Sequence, residues 1–333
     1  MTSQEPVNTQ ASGQAIYAGL LAAFVGFASS FAVVLQGLRG VGATPTQAAS
    51  GLLALSVACG VCAIVLSLRT RLPVAIAWST PGAALLSTTV SVEGGFAGAV
   101  GAFMICAVGF ILAGLWRPLG RAAAAIPSHL ANALLAGVLV SLCFAPFKAI
   151  AFDPVLGLSI LGAWVVGGLI HKLAGVPFAL VAFVLVVMFE VELPAGTSAT
   201  LIAAAVPPVE WITPTFSWSA VLSISVPLFL VTMASQNVAG VAIISSFGYP
   251  TRPGPWIATT GVFSFLGAPF GGHAVNLAAI TAALCASEDA HPDPARRYWA
   301  AVLMGVGMIG CGLLSGLVIA FVSLAPPILI EAV

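Results

Sequence analysis

Long apolar stretches separated by short polar breaks run through almost the whole of this sequence. A helix needs about 20 mainly apolar residues to cross the hydrocarbon core of a membrane. About eleven stretches approach that length, and a twelfth begins near Leu324. They cover residues 15–38, 46–68, 74–90, 95–116, 126–147, 154–171, 175–190, 218–245, 254–270, 272–287 and 298–320. The pattern predicts an all-α polytopic membrane protein.

The composition agrees with this class, because 60% of the 333 residues are hydrophobic and only 6% are charged. A soluble domain has about a quarter of its residues charged, so we expect the lipid bilayer to surround most of the surface and no nucleic acid to bind. The polar tail 1–14 lacks the features of a secretory signal, which makes the first stretch a retained span. The six cysteines fall within or beside predicted spans and indicate neither a disulfide framework nor a zinc site. No cofactor is expected.

The basic residues indicate the orientation of the chain. If the N-terminus is cytoplasmic, the inner loops carry Arg69, Arg71, Arg117, Arg121, Lys172, Arg252, Arg296 and Arg297. The outer loops then carry only Arg39 and Lys148. Loops on the cytoplasmic side are enriched in Lys and Arg. The distribution therefore predicts a multi-pass protein of the cell inner (cytoplasmic) membrane with a cytoplasmic N-terminus.

A proline-rich connection at residues 191–217, on the predicted outer side, divides the spans into two groups. Seven spans precede it, in residues 15–190, and the others lie in residues 218–333. An odd number of spans inverts whatever follows, as in inverted-repeat transporters. We therefore predict that the two groups of spans are inverted repeats. The second group contains spans 8–11 and the start of a twelfth.

Each half carries a Gly/Pro interruption at its third span, within residues 77–84 and 267–276. Proline removes a backbone donor, and in lipid the freed groups must be satisfied by protein or by a water-lined cavity. A helix that restarts there presents free N–H groups and a partial positive charge, so two such N-termini form an anion site. We therefore predict broken third and tenth helices. The substrate-binding candidates are Ser79, Thr80, Pro81, Gly82, Gly271 and Gly272. Kinks that serve packing alone are the alternative.

The second interruption also carries His273 and Asn276. Asn276 is expected one turn beyond His273 on the same helical face, since i, i+3 spacing lets both side chains face one cavity. Ionisable groups at membrane depth mark ion or substrate paths, and histidine titrates near physiological pH. We predict that His273 binds substrate and carries a coupled proton, and that Asn276 binds substrate. A neutral His273 that donates to a backbone carbonyl freed by Pro269 and the glycines is an equally weighted alternative.

The eighth span contains the adjacent amides Gln236 and Asn237 in an otherwise apolar helix. Such groups bind a carboxylate or polar substrate without a buried charge, or they tie helices together. We favour substrate binding, with one amide facing the cavity while the other braces a neighbouring helix. The first span offers a weaker signal that includes Phe31.

Two other functions are alternatives to a transporter: a membrane-embedded enzyme that uses His273 or the His291 loop, and a channel. The loop that contains His291 and Asp293 gathers acids that suit a metal site, but Asp293 followed by Pro294 is also typical of a helix start. The sequence has no HExxH or GxSxG string, so we do not expect an enzyme. A channel needs a continuous polar stripe, whereas the polar residues here cluster at mid-span. A channel for small organic anions remains the principal alternative.

Four runs resemble the benzoate/proton symporter (BenE) family over nearly the whole chain. They are Ala77-Trp78-Ser79-Thr80-Pro81-Gly82, Ser235-Gln236-Asn237-Val238-Ala239-Gly240, the run from Ala268 to Ala283, and His291-Pro292-Asp293-Pro294-Ala295-Arg296-Arg297-Tyr298. That family resembles the uracil and xanthine permeases in fold. The resemblance implies a 7+7 inverted repeat of fourteen spans, a core domain and a gate domain, and broken third and tenth helices that meet at the substrate. Against that pattern the second repeat, residues 218–333, is expected to be incomplete, without the C-terminal helices after the start of span 12.

The resemblance further implies that a small aromatic carboxylate such as benzoate moves inward with a proton, and that Phe31 or Phe270 contacts its ring. We expect alternating access with a core of spans 1–4 and 8–11 and a gate of spans 5–7 with later helices. The related nucleobase permeases have carboxylates in their eighth and tenth helices, where this chain has Gln236 and the Gly271-Gly272-His273 run. Proton coupling therefore falls to His273. A homodimer is one possible assembly.

Overall fold

The computed structural model describes residues 11–89, 93–124, 144–170, 174–190 and 206–322, together with residues 324 and 329. The helices are α1 Gly13–Ala28, α2 Phe31–Gly40, α3 Pro45–Thr70, α4 Thr80–Ser87, α5 Gly95–Leu115, α6 Arg117–Ala124, α7 Ala145–Phe152, α8 Pro154–Ile170, α9 Gly175–Glu190, α10 Trp218–Ser246, α11 Pro253–Gly267, α12 Ile280–Ala286, α13 Tyr298–Leu313 and α14 Ser315–Val322. Two short strands, β1 Ile76–Trp78 and β2 Val275–Leu277, complete the elements. The protein is helical with several apolar helices, as expected for an all-α membrane protein.

Four helical stretches in the described residues are long and apolar enough to cross a membrane. They are Gly13–Gly40, which combines α1 and α2, Pro45–Thr70, Gly95–Leu115 and Trp218–Ser246. The helical stretches Pro294–Leu313 and Ser315–Phe321 meet at a bend of 51° and form a fifth span if they are taken together. Shorter apolar helices cover Pro154–Ile170 and Pro177–Phe189. These stretches agree with spans expected from the hydrophobic pattern.

Some predicted features lie wholly or largely outside the described residues. These are residues 1–10 of the tail 1–14, residues 126–143 of the span 126–147, residues 191–205 of the connection 191–217, and all but residue 329 of the segment after Leu324. The single predicted span 15–38 is divided at Ser29 and Ser30 into α1 and α2.

The start and end of α3 follow from local sequence. Thr44 accepts a hydrogen bond from the Gln47 backbone N–H, and the Gln47 side chain accepts one from the Thr44 N–H, which together form a capping box. Pro45 occupies the first turn, where its missing N–H has no partner to lose. The helix ends at Arg71, whose backbone is left-handed with φ 56°. The Arg71 guanidinium bonds to the Tyr298 hydroxyl and so joins the end of α3 to the start of α13.

Helices from the two halves of the chain pack against one another. The pairs α3 and α13, α5 and α11, and α1 and α13 are all in contact. The backbones of α3 and α13 approach each other closely at Gly60 and Gly305. A methyl group added at Gly305 would lie 2.6 Å from the Gly60 carbonyl oxygen. Small residues allow such close approach in membrane proteins, where van der Waals packing must hold helices together. The core is therefore shared between the halves.

The two Gly/Pro interruptions meet at the centre of this core. Strands β1 and β2 pair in antiparallel register, with Ala77 opposite Asn276. The Ser79 N–H donates to the Ala274 carbonyl at 3.0 Å, which extends the pairing beyond the strands. Helix α4 begins directly after β1, and α12 begins two residues beyond the Ala278 that follows β2. We name this arrangement, residues 75–82 and 273–281, the crossing.

Candidate functional site

Ser79 forms the start of α4 at the crossing. Its Oγ accepts a hydrogen bond from the Gly82 N–H at 3.0 Å and lies 2.7 Å from the Thr232 hydroxyl of α10. Ser79 is fully buried, Thr80 is half-buried, and Pro81 lies in the first helical turn. A side-chain cap of this kind satisfies one of the N–H groups that a helix start leaves free. Pro81 and Gly82 thus belong to a regular helix start rather than to a kink inside a helix.

His273 connects the second Gly/Pro interruption, residues 267–276, to the first, residues 77–84. Its Nε2 lies 3.0 Å from the Ser79 carbonyl oxygen, and its ring meets Phe103 edge-on at 6.3 Å between centroids. A carbonyl oxygen can only accept, so Nε2 carries the hydrogen and Nδ1 of the neutral ring is an acceptor. His273 is 1% exposed, and Nδ1 has no hydrogen-bond partner among the described residues. One ring nitrogen is therefore hydrogen-bonded, and the other has no hydrogen bond to a described residue.

This geometry bears on the alternative that His273 is purely structural. The ring does donate to a backbone carbonyl, as that alternative requires, but the carbonyl belongs to Ser79 in the other segment. The Ser79 carbonyl also accepts from the Ala83 N–H of α4 at 2.8 Å. The hydrogen bond to Ser79 accounts for the burial of Nε2. No contact among the described residues accounts in the same way for the buried Nδ1.

The backbone before His273 turns sharply. A 3₁₀ turn, Ala268–Phe270, is followed by Gly271 with φ 93°, a conformation that favours glycine. A side chain at Gly271 would also press on the Gln47 carbonyl oxygen, 3.2 Å from the position of an added Cβ. Gly271 and Gly272 are buried. After this turn the backbone is non-helical at residues 272–274 and continues into β2.

The prediction that His273 and Asn276 share a helical face is therefore wrong in its geometry. Residues 272–274 are not helical, and Asn276 lies in β2. Both side chains are nevertheless buried at the crossing. Asn276 donates through Nδ2 to the Leu277 carbonyl at 2.8 Å, while its Oδ1 has no partner among the described residues.

Asn237 holds β2 against α10. Its Oδ1 accepts from the Leu277 N–H at 3.0 Å, and its Nδ2 donates to the Met233 sulfur at 3.4 Å. Residues Met233–Asn237 form a π-helical turn, a local widening of the helix that often occurs at functional sites. Gln236 is half-buried, and its amide has no hydrogen-bond partner among the described residues. Of the two amides, Asn237 is thus the one that braces a neighbouring segment.

Thr281 is a further candidate at the crossing that the sequence analysis did not identify. It lies in the first turn of α12, is 6% exposed, and its hydroxyl has no partner among the described residues. A Cβ added at Gly26 of α1 would lie 3.1 Å from its methyl group. A polar residue in the first turn after the second interruption was the available signal. Buried polar groups are nearly always hydrogen-bonded, so such atoms call for a water or a ligand.

Phe31 belongs to an aromatic cluster beside the crossing. It stacks on Phe27 at 5.7 Å between centroids, and Phe27 meets Trp78 edge-on at 5.5 Å. The Trp78 indole N–H donates to the Ser30 hydroxyl at 2.9 Å, which fixes the ring. Phe27 and Phe31 also line an apolar cavity of about 370 Å³ between α1, α9, α13 and α14.

Phe270 lies in different surroundings. Its ring meets Trp211 edge-on at 5.3 Å between centroids, and its carbonyl accepts from the Ser50 hydroxyl at 2.9 Å. It lines a separate cavity between α3 and α11. The structure does not bring Phe270 to the cavity that Phe31 lines.

The His291 loop is organised by local hydrogen bonds. The Asp293 carboxylate accepts from the Ala295 N–H at 2.9 Å and caps the short 3₁₀ helix Pro294–Arg296 that leads into α13. Arg297 is 5% exposed and donates to the carbonyls of His291 and Ala286 at 2.7 and 2.9 Å. In the described part of the chain, no group of three or more His, Cys, Asp or Glu residues could hold a metal ion. The helix-start interpretation of this loop is confirmed.

Comparison with known proteins identifies the family. The family model of BenE, benzoate membrane transport protein, matches residues 9–333. Inner membrane protein YdcO of Escherichia coli is 35% identical over 316 residues, which cover 93% of this chain and 78% of that protein. The benzoate membrane transport protein of Acinetobacter baylyi is 30% identical over 321 residues, which cover 96% of this chain and 79% of that protein. The chain belongs to the BenE family of benzoate membrane transport proteins.

Proposed function

We propose that this protein is a secondary transporter of the inner membrane that imports an aromatic carboxylate, such as benzoate, together with a proton by alternating access. The observation that carries the proposal is the crossing. There the buried His273 is anchored through Nε2 and keeps Nδ1 without a partner among the described residues. Membership of the family supports the substrate class.

The crossing supplies several groups suited to a carboxylate. Helix α4 starts there, and the N-terminus of a helix carries a partial positive charge. Within the crossing, the buried Thr281 offers a hydroxyl that has no partner among the described residues. Beside it, the π-helical turn of α10 contacts β2 and carries the half-buried Gln236, whose amide has no hydrogen-bond partner among the described residues. These donors suit a carboxylate at a depth where an unpaired charge would be expensive.

His273 couples the proton to the substrate in this proposal. A proton on Nδ1 makes a buried imidazolium, and a carboxylate brings a buried negative charge. Either charge alone is costly in a low-dielectric interior, whereas the hydrogen-bonded pair is far less so. Substrate and proton therefore favour each other's binding, and they enter and leave together.

The aromatic ring of the substrate would lie against the cluster of Phe27, Phe31 and Trp78. Edge-on and stacked ring contacts already occur within this cluster, and aromatic pairs prefer these geometries. The adjoining cavity of about 370 Å³ falls in the usual range for small-molecule sites. Phe31 is the better candidate for ring contact than Phe270, which packs on Trp211.

We further propose that residues 15–190 and 218–333 are inverted repeats joined by the connection 191–217, with the N-terminus in the cytoplasm. The antiparallel pairing of β1 and β2 supports this, because the third spans of two inverted repeats run in opposite directions. The packing of α1, α3 and α5 on α11 and α13 supports a shared core of spans 1–4 and 8–11. Spans 5–7 with later helices form the gate.

Uptake of radiolabelled benzoate into proteoliposomes tests the proposal. Saturable uptake that increases with an inside-alkaline pH gradient is expected. Uptake that does not saturate would favour a channel, since a channel has no occluded binding step. No uptake of any aromatic acid by folded protein would overturn the proposed function.

A further inference from the structure

A second cavity, remote from the aromatic cluster, lies where α5 and α6 meet α10 and α11. It has a volume of about 540 Å³. Its apolar wall includes Met233, Val238, Val241 and Ile257, and its rim carries Arg117 and Arg121 of α6. None of the described residues that line it is acidic. The cavity thus joins an apolar interior to a basic rim.

The two arginines are available to a ligand. Both are exposed, and neither is paired with a carboxylate among the described residues. Their i, i+4 spacing on α6 places them on one face of the helix. Guanidinium groups hold phosphate through parallel N–H donors, so two of them on one face can share a single phosphate.

The surroundings place this rim at a membrane–water boundary. Leu115 and Trp116, which directly precede α6, are 71% and 60% exposed. Tryptophan beside arginine at the end of an apolar helix is typical of the interfacial region. Arg252, next to the lining residue Pro253, adds a third exposed cation to the same end.

We propose that this cavity binds an anionic phospholipid. The headgroup phosphate lies between Arg117 and Arg121, and an acyl chain lies along Val238, Val241 and Ile257. Basic pockets between membrane helices recognise anionic headgroups in this way. This proposal does not rest on the proposed transport function, and the cavity is distinct from the proposed binding site of the transported acid.

The bound lipid would also contact the π-helical turn of α10. Helix α6 contacts residues Met233–Asn237, and Met233 lines the cavity. The Met233 sulfur accepts a hydrogen bond from the Asn237 Nδ2, and the Asn237 Oδ1 accepts one from the Leu277 N–H of β2. A lipid in the cavity therefore supports, from the membrane boundary, a turn that reaches the crossing.

The test is a lipid titration of the purified full chain in detergent, with bound lipid counted by native mass spectrometry. Dioleoyl-phosphatidylglycerol is the probe, and dioleoyl-phosphatidylcholine is the neutral comparison. The variant Arg117→Gln/Arg121→Gln should bind phosphatidylglycerol about thirtyfold more weakly, the attraction expected of two surface arginines. The matched control Arg39→Gln/Arg69→Gln removes the same charge from other exposed positions and should bind it as the parent protein does.

A second variant tests the apolar wall without changing charge. Val241→Trp should fill the cavity and reduce phosphatidylglycerol binding even though both arginines remain. Equal binding by the parent protein and by both cavity variants would overturn the proposal, as would equal losses in the arginine control. Displacement of the lipid by benzoate at the arginine pair would also overturn it, because the cavity would then belong to the substrate path.

Discussion

The segments around Ser79 and His273 pair through two short strands but differ in how their polar atoms are satisfied. In the first, the Ser79 hydroxyl is bonded to Gly82 and Thr232, and the Trp78 indole is bonded to Ser30. In the second, His273 Nδ1, Asn276 Oδ1 and Thr281 Oγ1 are buried without a partner among the described residues. The comparison suggests that the first segment is mainly scaffold and that the second carries the chemistry.

The strongest test of this division is His273→Gln. The glutamine amide can still donate toward the Ser79 carbonyl but cannot take up a proton near neutral pH. We expect accumulation of benzoate driven by a pH gradient to be abolished, while the protein remains folded. Uptake with and without the gradient measures the effect. Undiminished gradient-driven accumulation would show that His273 does not couple the proton.

Gly271→Ala tests whether the second segment depends on its sharp turn. Alanine at φ 93° is strained, and its methyl group would press on the Gln47 carbonyl. We expect a loss of about 1–3 kcal/mol in the free energy of unfolding. Thermal unfolding in detergent is the measurement. The control is Gly310→Ala in α13, where an added Cβ meets nothing within 4 Å, and it should leave stability unchanged or slightly higher.

Asn237→Ala and Gln236→Ala separate bracing from binding. Removing the Asn237 amide leaves the buried Leu277 N–H without its partner, which costs about 1–3 kcal/mol of stability. Gln236→Ala removes no hydrogen bond to a described residue and should weaken benzoate binding with little change in stability. Thermal unfolding and equilibrium binding distinguish the two. Unaltered affinity in both variants would place the substrate elsewhere.

The smallest effects come from comparing one hydroxyl in each segment. Ser79→Ala loses the helix cap and should cost about 1 kcal/mol of stability. Thr281→Val replaces a hydroxyl that has no partner among the described residues with a methyl group of similar shape, and it should be close to neutral for stability. If the second segment holds the substrate, Thr281→Val should nevertheless raise the KM for uptake. An unchanged KM would remove Thr281 from the site.

Much of the candidate site could be predicted because local chemistry marks it. Pro269 and Gly271 predict a break in the helix whatever the tertiary structure around them. Polar residues within apolar spans likewise indicate functional positions. The form of the break was less accessible. The i, i+3 spacing of His273 and Asn276 places them on one face only in a helix. The segment is instead extended, because its backbone hydrogen-bonds to the distant residues Ala75–Ser79.

The aromatic candidates show the same limit. Phe31 and Phe270 are equally apolar and both flank polar runs, so the sequence does not indicate which of them contacts the substrate ring. Only packing separates them, with Phe31 against Phe27 and Phe270 against Trp211. Thr281 could not be identified from the sequence for a related reason. Its hydroxyl is distinguished only by its burial and by having no hydrogen-bond partner in the described part of the chain.

By itself, the sequence determined that this is a helical membrane protein with two Gly/Pro interruptions and a histidine at the second. Those features follow from hydrophobicity and backbone chemistry, which act over a few neighbouring residues. The tertiary structure alone decided that the interruptions pair, that His273 reaches the Ser79 carbonyl, and that Asn237 rather than Gln236 braces β2. Each of these depends on groups far apart in the chain, since a buried donor takes whichever acceptor packing brings within reach.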